Sequence, residues 1–302
     1  MNIRLIGVPL WYGCDNPGTE QAFQCFLDAG IQQLIRDCGH CVTDVTHVSV
    51  PADEDKYADP SMEYCHGVAE TCRNLEVAVK DARAAGEFPL VIGGDHSLGL
   101  GSISGLSHSV SAKDLTVIWV DAHTDINTNE MSESHHIHGM PLAAALGLGS
   151  RKLIDGFGAA DVKLLPHNLF YLGTRSVDPA EQILLDKLGI RYFDMRELRT
   201  QGIESCVRQL LELVTTPYIH LSFDVDFMDG DAYHATGLPV PGGPSIDDAH
   251  RCLELLLQSG KVGSMDFVEY SPKNDADHSG LSTCLELIKT CLNNLPCFYN
   301  IR

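Results

Sequence analysis

Basic residues and long hydrophobic runs are scarce in this sequence. No run of about 18 apolar residues is present to form a transmembrane helix. The N-terminal segment MNIRLIGVPLWYG lacks the basic region, long apolar core and cleavage site of a secretory signal. The chain has 21 Lys and Arg against 41 Asp and Glu, a formal charge of −20. Because nucleic acids and anionic membranes repel an acidic protein, we expect neither as a partner. The charge favours cationic ligands or metal ions, or it serves only solubility.

The sequence also lacks internal repeats, low-complexity tracts and Ser/Gly-rich linkers. Its 302 residues, of which 44% are hydrophobic, are enough to bury a large core. We therefore predict a single domain over residues 1–302.

Eleven cysteines are present, and their odd number and scattered positions do not indicate a disulfide framework. We therefore expect free thiols and a location in the reducing cytoplasm. One pair, Cys38 and Cys41 in CGHC, has the spacing of a dithiol redox motif. A redox cysteine usually opens a helix, whereas this pair follows a helical pattern over residues 26–40. We predict instead that Gly39 caps that helix and that Cys41 starts a strand.

Short apolar or β-branched runs alternate with segments of helical periodicity. The helical segments include residues 71–86 and 250–260, and the strand-like runs are IRLIGVPL, PLVIGGD, LTVIWVDAH, NLFYLGT, PYIHLSFDVD and VGSMDFVEY. Strands that are apolar on both faces and alternate with helices form parallel sheets covered on both sides. We predict an α/β fold with a mostly parallel, doubly wound sheet. Long loops at residues 125–141 and 229–245 follow strand ends, where such sheets bind ligands.

Acidic residues and histidines follow three of these runs. In DAHTD, Asp121, His123 and Asp125 occupy alternate positions, which point to one side provided that the strand continues past Val120. SFDVD repeats this spacing, and GGDHS adds an Asp-His pair beside glycines that allow a tight turn. One such motif alone is weak, because helix capping and salt bridges use the same residues. The six side chains that we expect to converge are His96, Asp121, His123, Asp125, Asp224 and Asp226.

Four neighbouring carboxylates cannot all stay ionised without cations between them, and two divalent ions would balance their charge. Imidazole and carboxylate ligands without thiolate favour Mn²⁺, with Fe²⁺, Co²⁺ or Ni²⁺ as alternatives. Two such ions about 3.5–4 Å apart can hold a water as hydroxide for attack on carbon or phosphorus. The sequence therefore predicts hydrolysis at a two-metal site.

GGDHS, DAHTD and SFDVD, in this order, resemble the three signatures of the ureohydrolase family, which comprises arginase, agmatinase, formimidoylglutamase and relatives. The resemblance continues through HGMP, VDPAE, ATGLPVPGG and MDFVEYSP, and it is greatest to the arginases. It implies a three-layer α/β/α fold, two Mn²⁺ per subunit and a homo-oligomer, commonly a trimer or hexamer. It also implies hydrolysis of L-arginine to L-ornithine and urea by a metal-bridging hydroxide.

The resemblance implies roles for individual residues as well. One ion would be held by His96, Asp121, Asp125 and Asp224, and the other by Asp121, His123, Asp224 and Asp226. With the metal pair, Asp125 would stabilise the tetrahedral intermediate. His138 in HIHGMP would help to protonate the departing amine, because histidine titrates near neutral pH. Glu269 in DFVEY would pair with the substrate guanidinium through charge-assisted hydrogen bonds.

Four further residues match those with which arginases bind the amino-acid end of their substrate. They are Asn127 and Ser134 on the carboxylate side, and Asp178 and Glu181 on the α-amino side. Agmatine lacks this carboxylate, so the presence of both polar sets favours arginine. The alternative is that these are ordinary turn residues.

Three features depart from the arginase pattern. His135 and His136 replace a Gly-Asn pair, so a carboxylate contact is lost or replaced by an imidazolium. Leu238 replaces a threonine and removes a hydroxyl near the guanidinium, and FMDGDAYH replaces a Gly-Leu-Asp-Pro opening. Two alternatives therefore stay open. One is a related ureohydrolase acting on agmatine, guanidinobutyrate or formiminoglutamate, and the other is a non-catalytic metal-binding homologue.

Overall fold

The computed structural model describes residues 1–52 and 55–296. Within these residues one sheet contains eight strands: β1 (Asn2–Gly7), β2 (Cys41–His47), β3 (Phe88–Ile92), β4 (Leu115–Val120), β5 (Leu169–Leu172), β6 (Arg191–Phe193), β7 (Tyr218–Asp224) and β8 (Val262–Val268). Neighbouring strands are parallel and follow the order β2-β1-β3-β8-β7-β4-β5-β6. The strand order confirms the predicted doubly wound parallel sheet.

Helices connect the strands. In the described part of the chain they are α1 (Ala22–Asp28), α2 (Ile31–Asp37), α3 (Cys65–Ala84), α4 (Gly99–Ser107), α5 (Pro141–Ala145), α6 (Arg151–Ile154), α7 (Pro179–Leu188), α8 (Met195–Gln201), α9 (Ile203–Leu213), α10 (Ile246–Gln258) and α11 (Ser279–Asn294). No helix among these residues is long and apolar enough to cross a membrane.

Hydrophobic side chains pack on both faces of the sheet. Because successive strand residues face opposite sides, β4 contributes Ile118 and Val120 to one core and Val117 and Trp119 to the other. Residues of α1, α2 and α8 to α11 fill the first core, and residues of α3, α4, α5 and α7 fill the second. The result is the predicted three-layer α/β/α arrangement.

The N-terminal helical pattern over residues 26–40 differs from the prediction in one respect. Gly30 has a φ of 85°, a left-handed conformation that separates α1 from α2. Gly39 has a φ of 84° just after α2, and Cys41 begins β2, as predicted. All ten cysteines in the described residues are free, including Cys38 and Cys41.

The four strands at the centre of the sheet bring their carboxyl ends together. In the register of the sheet Val120 of β4 pairs with Phe223 of β7, which in turn pairs with Phe267 of β8. The residues that follow these positions therefore leave the sheet side by side. The sequence patterns do not predict β6 at the edge of the sheet, because three residues are too few to show a strand periodicity.

Candidate metal centre

His96 lies at the centre of three carboxylates beyond the end of β3. Its Nδ1 is 2.9 Å from Asp121 Oδ2, and 3.2 Å from an oxygen of each of Asp125 and Asp224. On its other side, His96 Nε2 hydrogen bonds with Ser222 Oγ at 2.7 Å. The imidazole also stacks on the Trp119 ring, with centroids 3.8 Å apart. These contacts hold Nδ1 toward the carboxylates.

His123 lies in a second group with Asp121 and Asp226. Its Nδ1 is 3.0 Å from Asp226 Oδ2 and 3.5 Å from Asp121 Oδ1. Because Asp121 faces His96 with one oxygen and His123 with the other, the two groups are adjacent and share this carboxylate. We refer to the six predicted residues together as the Asp/His cluster: His96, Asp121, His123, Asp125, Asp224 and Asp226.

Strand β4 ends at Val120, so turns, and not the extended strand on which the prediction is conditional, bring these side chains together. Asp121 Oδ1 accepts a hydrogen bond from the His123 backbone N–H at 2.6 Å. Asp224 Oδ1 likewise accepts from the Asp226 backbone N–H at 2.8 Å. Asp125 has a φ of 46°, a left-handed conformation that is uncommon for a residue with a side chain. Aspartates favour such turns because their oxygens can bind the backbone two residues ahead.

The donor atoms of the cluster fit divalent cations. His96 Nδ1 and Asp121 Oδ2 are both buried, yet within the described residues neither has a hydrogen-bond partner. The two atoms lie 2.9 Å apart as an ion pair that lacks the geometry of a hydrogen bond. Buried polar atoms are normally paired, so atoms that converge in this way provide places for a cation. Nitrogen and oxygen donors without thiolate suit Mn²⁺ and similar ions.

The pKa values of the carboxyl groups show the cost of crowding them. Burial and the charges of Asp226 and Asp121 raise the pKa of Asp224 well above its ordinary value. Burial and the charge of Asp121 raise the pKa of Asp226 to about 6. Burial opposes the charged form of His96, but its contacts with three aspartates raise its pKa well above the ordinary value. The cluster therefore favours positive charge at its centre.

His138 and Glu269 lie together beside the cluster. His138 Nδ1 is 3.2 Å from Glu269 Oε1, which also accepts the His96 backbone N–H at 2.8 Å. No hydrogen bond from the described residues reaches Glu269 Oε2. Burial opposes protonation of His138, but its hydrogen bond with Glu269 and nearby carboxylates raises its pKa. Glu269 has a φ of 64°, so the backbone holds this carboxylate in an unusual conformation.

Asp95, in the GGDHS motif, supports His138 through the loop that follows β1. Its Oδ2 accepts the Gly13 backbone N–H at 2.9 Å, and the Gly13 carbonyl accepts the His138 backbone N–H at 3.0 Å. Gly94, just before it, has a φ of 83°, and a Cβ there would lie 2.7 Å from the Val8 carbonyl oxygen. The glycines of this motif are therefore needed for a close backbone approach.

The four residues predicted for the substrate end are only partly together. Asn127 Nδ2 donates to Asp178 Oδ2 at 3.1 Å. Ser134 Oγ accepts the His136 backbone N–H at 3.2 Å. Glu181 is buried, and its carboxylate accepts the backbone N–H groups of Ile126 at 3.2 Å and Asp178 at 3.0 Å. Both Glu181 oxygens are thus occupied by protein donors.

A group of charged residues near His138 does not appear among the predicted site residues. Lys56 Nζ hydrogen bonds with Asp15 and lies 3.2 Å from Glu63 Oε2, which is 3.3 Å from His136 Nε2. The ring centroids of His136 and His138 are 5.9 Å apart. We call Asp15, Lys56, Glu63 and His136 the rim cluster. Three of its members could hold a metal ion, but the Lys56 ammonium group already supplies a cation there.

The three departures from the arginase pattern lie outside the Asp/His cluster. His135 has a φ of 62°, and its carbonyl accepts the Glu63 backbone N–H at 3.0 Å. Leu238 is exposed, with 47% of its surface accessible. The unusual segment after DVD starts at Phe227, the last residue of a short 3₁₀ turn at Val225–Phe227, and continues as an irregular loop. None of the three departures therefore changes a side chain of the Asp/His cluster.

The fold and the Asp/His cluster define a class: an α/β/α protein with a candidate two-metal site at the carboxyl edge of a parallel sheet. The Arginase family model matches residues 1–292, and the chain belongs to this family. An arginase from Brevibacillus brevis is 33% identical over 291 residues, which cover 96% of this chain and 97% of that protein. These matches confirm the predicted ureohydrolase resemblance.

Solved structures of arginases have the same fold. The Bacillus subtilis arginase superposes with a TM-score of 0.89 at 31% identity, covering 97% of this chain and 98% of that chain. The Entamoeba histolytica arginase, solved in complex with L-ornithine, superposes with a TM-score of 0.86 at 29% identity, covering 96% and 97%. The similarity therefore extends over nearly the whole chain.

Proposed function

We propose that this protein hydrolyses L-arginine to L-ornithine and urea with two Mn²⁺ ions per chain. Family membership and relatives named arginase support a metal-dependent hydrolase acting on a guanidino C–N bond. The observation that carries the proposal is the Asp/His cluster, in which buried nitrogen and oxygen atoms converge without hydrogen-bond partners. A structural relative solved with L-ornithine, the proposed product, adds support.

The Asp/His cluster would hold the two ions in overlapping sets. His96, Asp121, Asp125 and Asp224 form the first set, and Asp121, His123, Asp224 and Asp226 form the second. When bound, a pair of divalent ions lowers the pKa of a water between them and so supplies the nucleophile. The mixture of imidazole and carboxylate donors favours Mn²⁺ over structural Zn²⁺, which usually recruits thiolates.

Glu269 and His138 would act on the substrate itself. Glu269 Oε2 has no hydrogen bond from the described residues, so it can accept from a planar guanidinium. His138 holds its Nδ1 against Glu269 Oε1 at 3.2 Å, which favours the protonated ring. Nε2 is then the proton donor to the departing amine nitrogen. Asp125, at the edge of the cluster, would stabilise charge at the reacting carbon.

The carboxylate of arginine would bind beside Asn127 and Ser134, and its α-ammonium group beside Asp178. Asn127 Nδ2 donates to Asp178 Oδ2 at 3.1 Å, so the amide and the carboxylate face the same region. We assign Glu181 to the same subsite through Asp178, whose backbone N–H it accepts. A carboxylate and an ammonium group at this end distinguish arginine from agmatine.

One observation favours a second candidate substrate. His136 stands where arginases usually have asparagine, and its Nε2 lies 3.3 Å from Glu63 Oε2 of the rim cluster. A site altered at this end would accept a guanidino substrate without the amino-acid carboxylate, such as agmatine or guanidinobutyrate. Formiminoglutamate is a related alternative within the wider family.

The test is urea release by the Mn²⁺-loaded protein, with L-arginine and agmatine assayed side by side. We expect release from arginine, and loss of that release after chelation of the metal. Release from agmatine alone would overturn the assignment of the substrate and support the second candidate. No release from either compound would contradict both and favour formimino substrates or a non-catalytic homologue.

Other expected properties belong to the same proposal. We propose one domain over residues 1–302, of which 53–54 and 297–302 lie outside the described residues. We also propose a homo-oligomer, a trimer or hexamer, without nucleic acid or membrane partners. The free cysteines of the described residues support a cytoplasmic location. Sedimentation of the Mn²⁺-loaded protein would measure the number of subunits.

A further inference from the structure

Arg175 lies just beyond β5, and its guanidinium is surrounded by carbonyl oxygens. Nη2 donates to the carbonyls of Asp226 at 2.8 Å, Met228 at 3.0 Å and Val240 at 2.7 Å. Nη1 donates to Phe227 O at 3.1 Å and to Gly173 O at 3.2 Å, and Nε donates to Pro241 O at 3.3 Å. Among the described residues no carboxylate lies within ion-pair distance of this guanidinium. Its five N–H groups are used on backbone oxygens.

Three of these oxygens belong to consecutive residues, Asp226, Phe227 and Met228. This short turn carries the Asp226 carboxylate, which faces His123 at 3.0 Å. Carbonyl dipoles that converge from one turn repel one another unless donors lie between them. Arg175 supplies these donors and so fixes the backbone from which Asp226 projects.

The backbone of Arg175 also contacts the turn that follows β4. Its N–H donates to the Ala122 carbonyl at 2.8 Å, and the Ala122 N–H donates to Asp226 Oδ1 at 3.1 Å. Together with the bond from Arg175 Nη2 to the Asp226 carbonyl, these contacts form a closed ring of three hydrogen bonds. The ring joins the two turns that carry Asp121 and His123 on one side and Asp226 on the other.

The space around the guanidinium is tight. A Cβ on Gly243 would lie 2.6 Å from Arg175 Nη2 and 2.7 Å from the Phe227 carbonyl oxygen. A larger residue at this position would therefore displace either the guanidinium or the turn. Lysine in place of Arg175 would keep the charge, but its three donors on one nitrogen cannot reach carbonyls on several sides.

We propose that Arg175 is a positioning residue for the second metal set, in which Asp226 takes part, and that it acts by holding the turn over residues 226–228. This inference rests on the proposed function. It differs from the assignment of ligands because Arg175 contacts none of the proposed metal-binding atoms. Partners that orient metal ligands typically change metal affinity about 10- to 100-fold when removed.

The experiment measures Mn²⁺ bound per chain against free Mn²⁺, by equilibrium dialysis and metal analysis, without substrate. We expect two ions in the unchanged protein. Arg175→Lys should retain the first ion and bind the second about 10- to 100-fold more weakly, and excess Mn²⁺ should restore its kcat. Gly243→Ala should weaken the second ion in the same direction, because its Cβ would displace either the guanidinium or the turn that the guanidinium holds.

Arg199→Ala is the matched control. Arg199 is exposed and donates to the Gly242 carbonyl at 2.7 Å, in the same loop but away from the 226–228 turn. We expect this variant to bind both ions as the unchanged protein does. Circular dichroism and thermal unfolding of the metal-free variants identify any that fail to fold. If Arg175→Lys fails to fold, Gly243→Ala decides the question.

The possible results separate the inference from the proposed function. Unchanged affinity for the second ion in Arg175→Lys would overturn the role of Arg175, and so would an equal weakening of both ions. Failure of the unchanged protein to bind a pair of ions would instead contradict the proposed function. Because Mn²⁺ binding is measured without substrate, the result does not depend on whether the substrate is arginine or agmatine.

Discussion

The Asp/His cluster and the rim cluster differ in burial, origin and charge balance. Five side chains of the Asp/His cluster are at most 9% exposed and His123 is 26% exposed, whereas those of Lys56 and His136 are 23% and 29% exposed. The Asp/His cluster comes from turns at the ends of central strands. The rim cluster comes from the loop after β1, the segment before α3 and the loop before α5.

Their charge balance shows what each region can do. In the rim cluster the Lys56 ammonium lies between two carboxylates, so the chain itself supplies one cation there. In the Asp/His cluster four aspartates face two imidazoles, and some of their atoms have no hydrogen bond among the described residues. A region whose aspartates form no ion pair with a Lys or Arg of the described residues suits metal chemistry, and a region that holds its own ammonium group nearer to solvent suits substrate selection.

The strongest test of this comparison is Asp121→Asn, since Asp121 faces both histidines of the Asp/His cluster. The amide keeps the shape of the side chain but removes the charge that both metal sets share. We expect Mn²⁺ affinity to fall by more than about 100-fold, because a ligand should matter more than the groups that orient it. Dialysis with metal analysis measures the affinity, and urea release from arginine should fall in parallel.

Asp266→Asn is the control for burial. Asp266 is also fully buried at the centre of the sheet, but it accepts from Ser102 Oγ at 2.8 Å and lies 3.2 Å from His220 Nε2, outside the cluster. We expect this variant to be less stable to heat and to bind Mn²⁺ normally. Equal loss of Mn²⁺ in both variants would mean that buried charge in general, not the cluster, determines metal binding.

The sequence predicts the Asp/His cluster far better than the rim cluster, for a physical reason. Asp121 and Asp224 follow apolar runs, and neighbouring parallel strands bring their carboxyl ends to one edge. The turn at Asp125, with its φ of 46°, has no comparable signal in the sequence. In the rim cluster Glu63 and His136 meet because two irregular segments cross, joined by the Glu63 N–H and the His135 carbonyl. Such pairings between loops follow no periodicity.

A second test concerns the substrate end of the site and should have a smaller effect. Asp178→Asn removes a charge from the proposed ammonium side, while asparagine keeps the capping role at the start of α7. We expect KM for arginine to rise about tenfold with little change in kcat or Mn²⁺ binding. Steady-state kinetics with arginine and agmatine measures this, since agmatine retains no α-ammonium group at that position.

Asp186→Asn is the control for this change, because Asp186 is exposed on the same helix and its side chain accepts a hydrogen bond from Gln182, away from the site. Its kinetics should match those of the unchanged protein. If Asp178→Asn lowers kcat instead and leaves KM unchanged, Asp178 does not bind the ground-state substrate. Asp178 would then no longer belong to the residues around the Asp/His cluster that select the substrate.

The smallest expected effect is that of His136→Asn, which introduces the residue usual in arginases. His136 Nε2 lies 3.3 Å from Glu63 Oε2, whereas the shorter amide would leave Glu63 to Lys56 and offer two donors to a carboxylate. We expect kcat/KM for arginine to rise about fivefold, the effect of one ordinary hydrogen bond, and kcat/KM for agmatine to stay unchanged.

His66→Asn, on the exposed surface of α3, serves as the control for loss of an imidazole. A fall in arginine turnover, with Mn²⁺ binding intact, would show that His136 itself contacts the substrate. The rim cluster would then select arginine by an imidazole where relatives use an amide.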